Sequence, residues 1–409
     1  MKNLSLQEAE QGELTRVDST DAAERSADSA VVPAHDPGAP MLVADEHSRS
    51  ELRVVAIEPE SDPRWQVYVA LHPQALVYHH SLWLEVLKQT YGYQLAALAC
   101  EDGYGRLRGV LPLFETQGLL TGRQLVSLPH TPVAGPLADH GAAAVALMRA
   151  AVERIRARPG TRLQLKTSMP IPREALEAGL SIPWEESYVL ALPRDPETLR
   201  FGNSRNHGRI KWAINKAEKL GVKIRLADNE SDLRAWYKLY LETMRWHAVP
   251  PRSYRFFATA WEILRPRRLL TLLLAEQNEA GQATLLAGSI FLMFGRTVLY
   301  AFNGRRREDL SLRPNDLIQW RAIHDACRDG YEQYDFGEVA DTNHGLAEFK
   351  SKWGAMPRRY HRFYYPGPNR VATGMLKEDS FIHRTGRSIW RQLPLGITER
   401  CGNWIYSHL

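Results

Sequence analysis

The chain has 409 residues, 44% of them apolar and 24% charged, the make-up of a soluble globular protein long enough for two domains with separate cores. Its longest apolar run, "LLAGSIFLMFG", is too short to cross a bilayer, and Cys100, Cys327 and Cys401 are too scattered for a disulfide framework or a metal cluster. The net charge of +5 is uneven: residues 1–50 hold four Lys/Arg against ten Asp/Glu, which leaves +11 on residues 51–409. That balance suits anionic partners such as nucleotides, RNA or an acidic membrane face, and equally a solvated basic surface.

Residues 1–50 are rich in Ala, Ser, Asp and Glu, poor in aromatics and without periodicity. Such a composition cannot bury enough apolar area to offset chain entropy, so a disordered acidic tail is expected there. No basic start followed by an apolar stretch marks a secretory signal, and a cytoplasmic location is expected.

From residue 93 onward "YQLAALACED", "RLRGVLPLFE" and "GRQLVSLP" read as three strands. "HGAAAVALMRAAVERIRARPG" then reads as a helix stopped by Gly, and "TRLQLKTS" returns as a strand. Next comes "RFGNSRNHGRIKWAINKAEKLGVKIR", where Ile210, Ala213, Ile214 and Ala217 recur at helical spacing and define an inward face. Arg205, Arg209, Trp212 and Lys216 form an adjacent stripe. That stripe suits a phosphate or RNA with an aromatic platform, or a solvated flank with the indole on a neighbour.

The five-element order then repeats. "LLTLLLAEQ", "QATLLAGSIFLMF" and "GRTVLYAFNG" are strands, "PNDLIQWRAIHDACRDG" is a helix with Pro at its start and Gly at its end, and "YEQYDFG" is a strand. Gly109 and Gly288 hold matching places in the second strand of each copy. After the repeat, "GLAEFKSKWGA" places Leu346, Phe349 and Trp353 on a core face, with Lys350 at its border. The segment 381–409 mixes Arg384, Arg387 and Arg391 with Phe381, Ile389, Trp390, Trp404 and Tyr406. It reads as a basic amphipathic segment for a membrane interface, or as a helix docked on its own domain.

"SLWLEVLKQTYGYQLAAL", "QLVSLPHTPVAGPLAD", "RNHGRIKWAINKAEKLGVKI", "LRPNDLIQWRAIHDA" and "YDFGEVADTNHGLAEFKSKWGA" resemble the FemAB-like proteins. They resemble more closely the CelD/BcsL branch found in bacterial exopolysaccharide and exosortase-associated gene sets. The resemblance implies an α/β fold of two tandem GNAT-like domains, each a mixed, splayed sheet flanked by helices. The expected division is an acidic tail at 1–50, a first domain at 51–199, a second and catalytic one at 200–367, and a basic tail at 368–409. It also implies an acyltransferase with no permanently bound cofactor. Acyl-CoA is the favoured co-substrate, and the acceptor is an amino group of a cell-envelope glycan or lipid-linked precursor. Aminoacyl-tRNA extending a peptidoglycan peptide is the rival donor, and a non-catalytic adaptor the second rival. The lipid-linked acceptor would bring the protein to the inner membrane as a peripheral contact. No R/Q-x-x-G-x-G/A pyrophosphate loop precedes either repeated helix.

In such a fold the third and fifth strands of the second copy part, and the donor enters between them. Tyr300 and Asn303 lie on one arm, Asp335 and Glu338 at the end of the other, and Arg313 and Asn315 at the start of the following helix, aimed at a donor phosphate. In the family the lysine of the matching "FK" is linked to catalysis, so the resemblance gives Lys350 the role of stabilising the oxyanion. Asp335 or Glu338 would take the amine proton, with capping of the next turn as the other reading of Asp335. Arg205 and Arg209 are candidate donor contacts, His130 in "SLPHTPVAG" a candidate acceptor contact, and Trp353 a candidate at the cleft rim.

Overall fold

A computed structural model describes residues 51–119, 121–169, 171, 179–279, 282–367 and 389–408. The expected acidic tail and Phe381, Arg384 and Arg387 lie outside these residues.

The first half runs β1 (Arg53–Ala56), α1 (Pro63–Leu71), α2 (Ser81–Tyr91), β2 (Gln94–Leu95), β3 (Leu98–Glu101), β4 (Leu107–Leu111), β5 (Phe114–Gly118), β6 (Gly122–Val126), β7 (Leu137–Ala138), α3 (Gly141–Arg156), β8 (Thr161–Thr167) and β9 (Leu180–Ala191). The second runs α4 (Ser204–Lys219), β10 (Val222–Leu226), α5 (Glu230–His247), α6 (Tyr254–Leu264), β11 (Leu270–Glu279), β12 (Gln282–Phe294), β13 (Thr297–Arg305), α7 (Pro314–Arg328), β14 (Gln333–Val339), α8 (His344–Lys352), β15 (Met356–Tyr365) and α9 (Leu395–His408). Local chemistry sets the boundaries. Asp62 caps α1 ahead of Pro63, and Gly92 closes α2 in the left-handed region. Asn203 and Asn229 accept the first free amides of α4 and α5.

A four-stranded sheet has the order β1-β3-β4-β7, and an eleven-stranded one the order β10-β11-β12-β13-β14-β9-β15-β8-β6-β5-β2. The sequence "LRGVLPLFETQG" crosses from one to the other. Pro112 has no amide to give the ladder, and the strand breaks there into β4 and β5. The repeat is visible in the pairing: β6 runs parallel to β8 and β13 parallel to β14, each pair joined through a helix.

The expected boundary at 199/200 falls between β9 and α4, yet strand pairing crosses it. β9 is antiparallel to β14 on one side and to β15 on the other, and β15 continues onto β8. One face of the long sheet packs Tyr334, Phe336 and Tyr300 against α4, α7 and α8. The other face packs Leu299 and Phe302 against α5, α6 and the first half of the chain.

Candidate functional site

β13 and β14 pair at Thr297/Gln333, Val298/Tyr334 and Leu299/Asp335, and then separate. Each arm of this fork follows its other neighbour. β13 stays with β12 as far as Arg305. It lies so close to α5 that a Cβ on Gly304 would come within 2.5 Å of the Tyr240 amide nitrogen. β14 stays with β9, but with one extra residue between Asp335/Val189 and Glu338/Ser187. Gly337, at φ +80°, supplies the left-handed conformation that this bulge requires.

The bulge has two consequences. Residues three apart on a regular strand face opposite sides, whereas here Asp335 and Glu338 share one face. It also turns three consecutive carbonyls toward a single point, where Lys350 of α8 donates to the oxygens of Phe336, Gly337 and Glu338 at 2.7, 3.1 and 3.1 Å. The resemblance placed this ammonium on the cleft rim as an oxyanion donor. It is instead fully buried, and its three N–H groups are engaged by the backbone. Lys350 thereby holds the β14 arm in place.

On the shared face Asp335 accepts from the Ser187 hydroxyl, from the Gly337 amide at 2.7 Å and from Tyr360 at 3.4 Å. Its alternative reading as a cap of the following turn is therefore met in part, through Gly337. Glu338 accepts from Arg362 Nη2 at 3.1 Å, and both side chains are almost wholly inaccessible. Burial raises the Glu338 pKa, opposed by the charges of Arg362 and Lys166. Lys166 of β8 donates to the carbonyls of Leu128 and Thr131 at 2.8 and 2.9 Å, and burial followed by the Arg362 charge pushes its pKa well down. The guanidinium of Arg362 stacks 4.9 Å from Trp184. This buried polar set draws on β8, β9, β14 and β15, so both halves of the chain build it. A cavity of about 260 Å³ lies past the end of β14, lined by Val339, Ala340, Asp341, Asn343 and Arg359 and by none of these buried polar residues.

At the other end of the fork, Arg313 precedes α7 in a left-handed conformation, and Pro314 opens the helix. Asn303 Nδ2 donates to Asn315 Oδ1 at 3.5 Å, so the arm of β13 touches the helix start. The first turn of α7 also carries the carboxylate of Asp316, 3.7 Å from Lys352 and 3.9 Å from Arg313. An internal acid therefore already uses the positive end of the helix, which qualifies the expected phosphate site. Beside it, Trp212 of α4 is 55% exposed between Lys216 at 5.3 Å and Arg313 at 5.6 Å. Arg205 and Arg209 extend this exposed basic platform.

Three expected contacts are corrected by burial. Trp353 is wholly buried against Phe201 and Phe336, so it is core and not rim. Tyr300 faces the same core beside Phe291. His130 is buried between Tyr91, Tyr93 and Tyr406 and bonds Tyr93 at 2.9 Å. The last of these rings belongs to α9, which docks on the protein's own surface: Tyr237 donates to Glu399 at 3.1 Å, and Gly402 lies against Pro251. Sequence reasoning missed Lys166, Ser187, Tyr360 and Arg362. For Lys166 and Arg362 the one signal is a cation in a strand that also carries apolar or aromatic residues, "LQLKT" and "RRYHRFYY"; Ser187 and Tyr360 give none. Among the described residues no group of His, Cys, Asp and Glu could hold a metal ion, and no helix is long and apolar enough to cross a membrane.

Residues 204–351, which span the fork and α8, match the family described as Acetyltransferase (GNAT) domain. No curated protein matches the sequence. Among solved structures the chain is similar to FemX, with 15% identity, 79% of this chain and 99% of that one covered, and a TM-score of 0.61. It is also similar to a DUF2156 C-terminal domain from Agrobacterium fabrum, at 10% identity over 76% and 92% of the two chains and a TM-score of 0.52. L-PGS from Bacillus licheniformis shows 11% identity over 79% and 97%, with a TM-score of 0.50. At these identities the likeness is one of fold: two tandem GNAT-like units with a splayed sheet and flanking helices.

Proposed function

We propose that this chain, whose residues 204–351 form an acetyltransferase-type domain, is an N-acyltransferase that binds its activated donor in the β13–β14 fork. The favoured donor is acyl-CoA, and the acceptor an amino group of a cell-envelope glycan or its precursor. One observation carries the reading: two parallel strands pair for three positions and then part, which releases the edge of the β13 arm beyond Leu299 from β14 to bind a donor and polarise its carbonyl. In the reaction a neutral amine attacks the acyl carbon, the C–N bond forms, and the C–S bond of the thioester breaks to release the thiol. The amine's proton goes to a carboxylate at the end of the β14 arm, Asp335 or Glu338, or to the substrate itself. Lys350 acts as a positioning residue for that arm. The test is release of CoA thiol from acetyl-CoA in the presence of amino-sugar acceptors, where acceptor-dependent release supports the reading. Absence of both release and acetyl-CoA binding counts against it.

A second reading, transfer from aminoacyl-tRNA, is favoured by the platform of the exposed Arg205, Arg209 and Trp212 with the half-buried Lys216. It predicts RNA binding with a steep salt dependence. A peripheral membrane contact would suit a lipid-linked acceptor and is supported by Ile389, Ile397 and Trp404, exposed near Arg400 on the outer side of the C-terminal segment. Sedimentation with anionic liposomes that survives removal of residues 389–409 would remove that support.

A further inference from the structure

Elsewhere on the described surface exposed cations meet acids: Arg64 lies 2.8 Å from Glu101, Lys88 3.0 Å from Glu60, Arg321 2.7 Å from Asp325 and Arg359 2.8 Å from Glu186. The outer face of α4 departs from this. Its 16 residues hold five Lys/Arg against Glu218 alone, a net of +4. Arg205, Arg209, Lys211 and Lys219 are exposed and Lys216 is half-buried, and among the described residues no carboxylate comes within ion-pair distance of these five. Arg205 and Arg209 stand four residues apart, a like-charge spacing that works against an isolated helix. An anion laid across the face relieves it. Trp212, 55% exposed, adds an apolar plate among the cations, with Lys216 at 5.3 Å and Arg313 at 5.6 Å.

The chain carries an anion of its own. Residues 1–50 hold ten Asp/Glu against four Lys/Arg, and residues 8–28 alone hold seven against two, a net of −5 in 21 residues. Leu14 and Val17 stand in the middle of this stretch, between Glu13 and Asp18. Its apolar groups are thus interleaved with acids, as Trp212 is with the cations of α4. Residues 29–50 join the stretch to β1, which starts at Arg53. Those 22 residues reach at most about 75 Å. A compact body of the remaining 359 residues has a radius of gyration of about 21 Å, so most of its surface is within range.

We infer that residues 8–28 dock on the outer face of α4, with their carboxylates across Arg205, Arg209 and Lys211 and their apolar centre against Trp212. The partner of this face is a segment of the same chain, tethered at an effective concentration on the order of millimolar. A segment so held competes with any polyanion for the same cations. The inference deepens the aminoacyl-tRNA reading by naming what an RNA must displace, and it rests on that reading for this consequence alone. Docking itself asks nothing of the reaction. Ion pairs on an exposed face are screened, so docking weakens as salt rises.

Carbodiimide cross-linking of the full chain, followed by mass spectrometry of the monomer, tests docking directly. The reagent joins carboxylates to lysines in contact, and Lys88 with Glu60 supplies an internal control. Cross-links from residues 8–28 to Lys211, Lys216 or Lys219 are expected at low salt and should be lost at about 0.5 M salt. A second arm changes the seven acids of residues 8–28 to Asn and Gln in the full chain and measures binding of a fluorescent single-stranded oligonucleotide. Where docking covers the face about nine-tenths of the time, removing it strengthens binding about tenfold. In an Arg205→Glu, Arg209→Glu background the same change should have little effect. A rise of equal size there is a long-range charge effect and overturns the inference. So does a control cross-link with none to Lys211, Lys216 or Lys219, or cross-links confined to dimers. Equal binding of the oligonucleotide by wild type and the neutralised chain overturns it as well. An oligonucleotide that binds neither chain counts against the RNA reading alone, and the cross-links then decide docking.

Discussion

The Lys350 ammonium lies 2.7 Å from the Phe336 carbonyl oxygen and completes its coordination with the next two carbonyls of the same strand. A charge on the short helix α8 thus fixes the shape of the β14 arm. Lys350→Met keeps the stem and removes the donor, leaving three buried carbonyls unsatisfied. The cost should be about 3 kcal/mol or more, read as a lower urea midpoint at unchanged slope. A variant as stable as wild type would mean that the bulge holds without the ammonium.

Glu338 and Arg362 should each be costly to remove alone. Glu338→Gln leaves a fully buried guanidinium without its counter-charge and should destabilise by about 3–5 kcal/mol, whereas Arg362→Met leaves a carboxyl that can take up a proton, so its cost should shrink as the pH is lowered. Urea titrations of the two variants at two pH values make the comparison, and a negligible loss in both would argue against a buried pair.

The pH dependence of the same group has a definite sign. Burial raises the folded-state pKa of Glu338 above its ordinary value of 4.5, so the folded protein holds this proton more tightly than the unfolded chain. Its contribution is fully present below the unfolded pKa and is lost as pH rises through the folded one. Glu338→Gln should therefore gain stability relative to wild type as pH increases above about 4.5. A gap that narrows with rising pH would reverse the assignment.

Gly304 sets the distance between β13 and α5. A methyl group there would lie 2.5 Å from the Tyr240 amide nitrogen, a backbone atom that cannot rotate away. Gly304→Ala should cost about 1–3 kcal/mol and, by displacing the β13 arm, weaken donor binding in the fork. Thermal melting together with donor titration separates the two effects.

The α4 platform should act on binding without touching the core. Arg205, Arg209 and Trp212 are exposed, so Arg205→Glu with Arg209→Glu should leave the melting temperature within about 1 °C, as expected of surface changes. Binding of a polyanionic donor should fall and lose salt dependence. Unchanged donor affinity would leave the stripe as a solvated flank.

The elements were legible where periodicity and caps agreed. The five-element repeat, the Pro start of α7 and the inward face of α4 are written in local patterns. The position of the fork follows from the resemblance, which says which two strands of the repeated unit part, and not from a local pattern. The insertion of β9 between β14 and β15 was not legible, since pairing across the middle of the chain leaves no local mark. The site was half legible. Asp335, Glu338 and Lys350 were singled out, but their directions depend on one extra residue in β14, and a one-residue bulge reverses which side chains share a face. Lys166 and Arg362 stayed hidden because cations in strands ordinarily face solvent, and here the second half of the chain covers them.

Hydrogen–deuterium exchange of the full chain, with and without acetyl-CoA and in parallel with an aminoacyl-tRNA, tests the fork most directly. Donor binding between the strands should slow exchange in both Tyr300–Gly304 and Phe336–Val339. If both donors leave the two arms unchanged, or protect only residues elsewhere, the fork does not receive the donor.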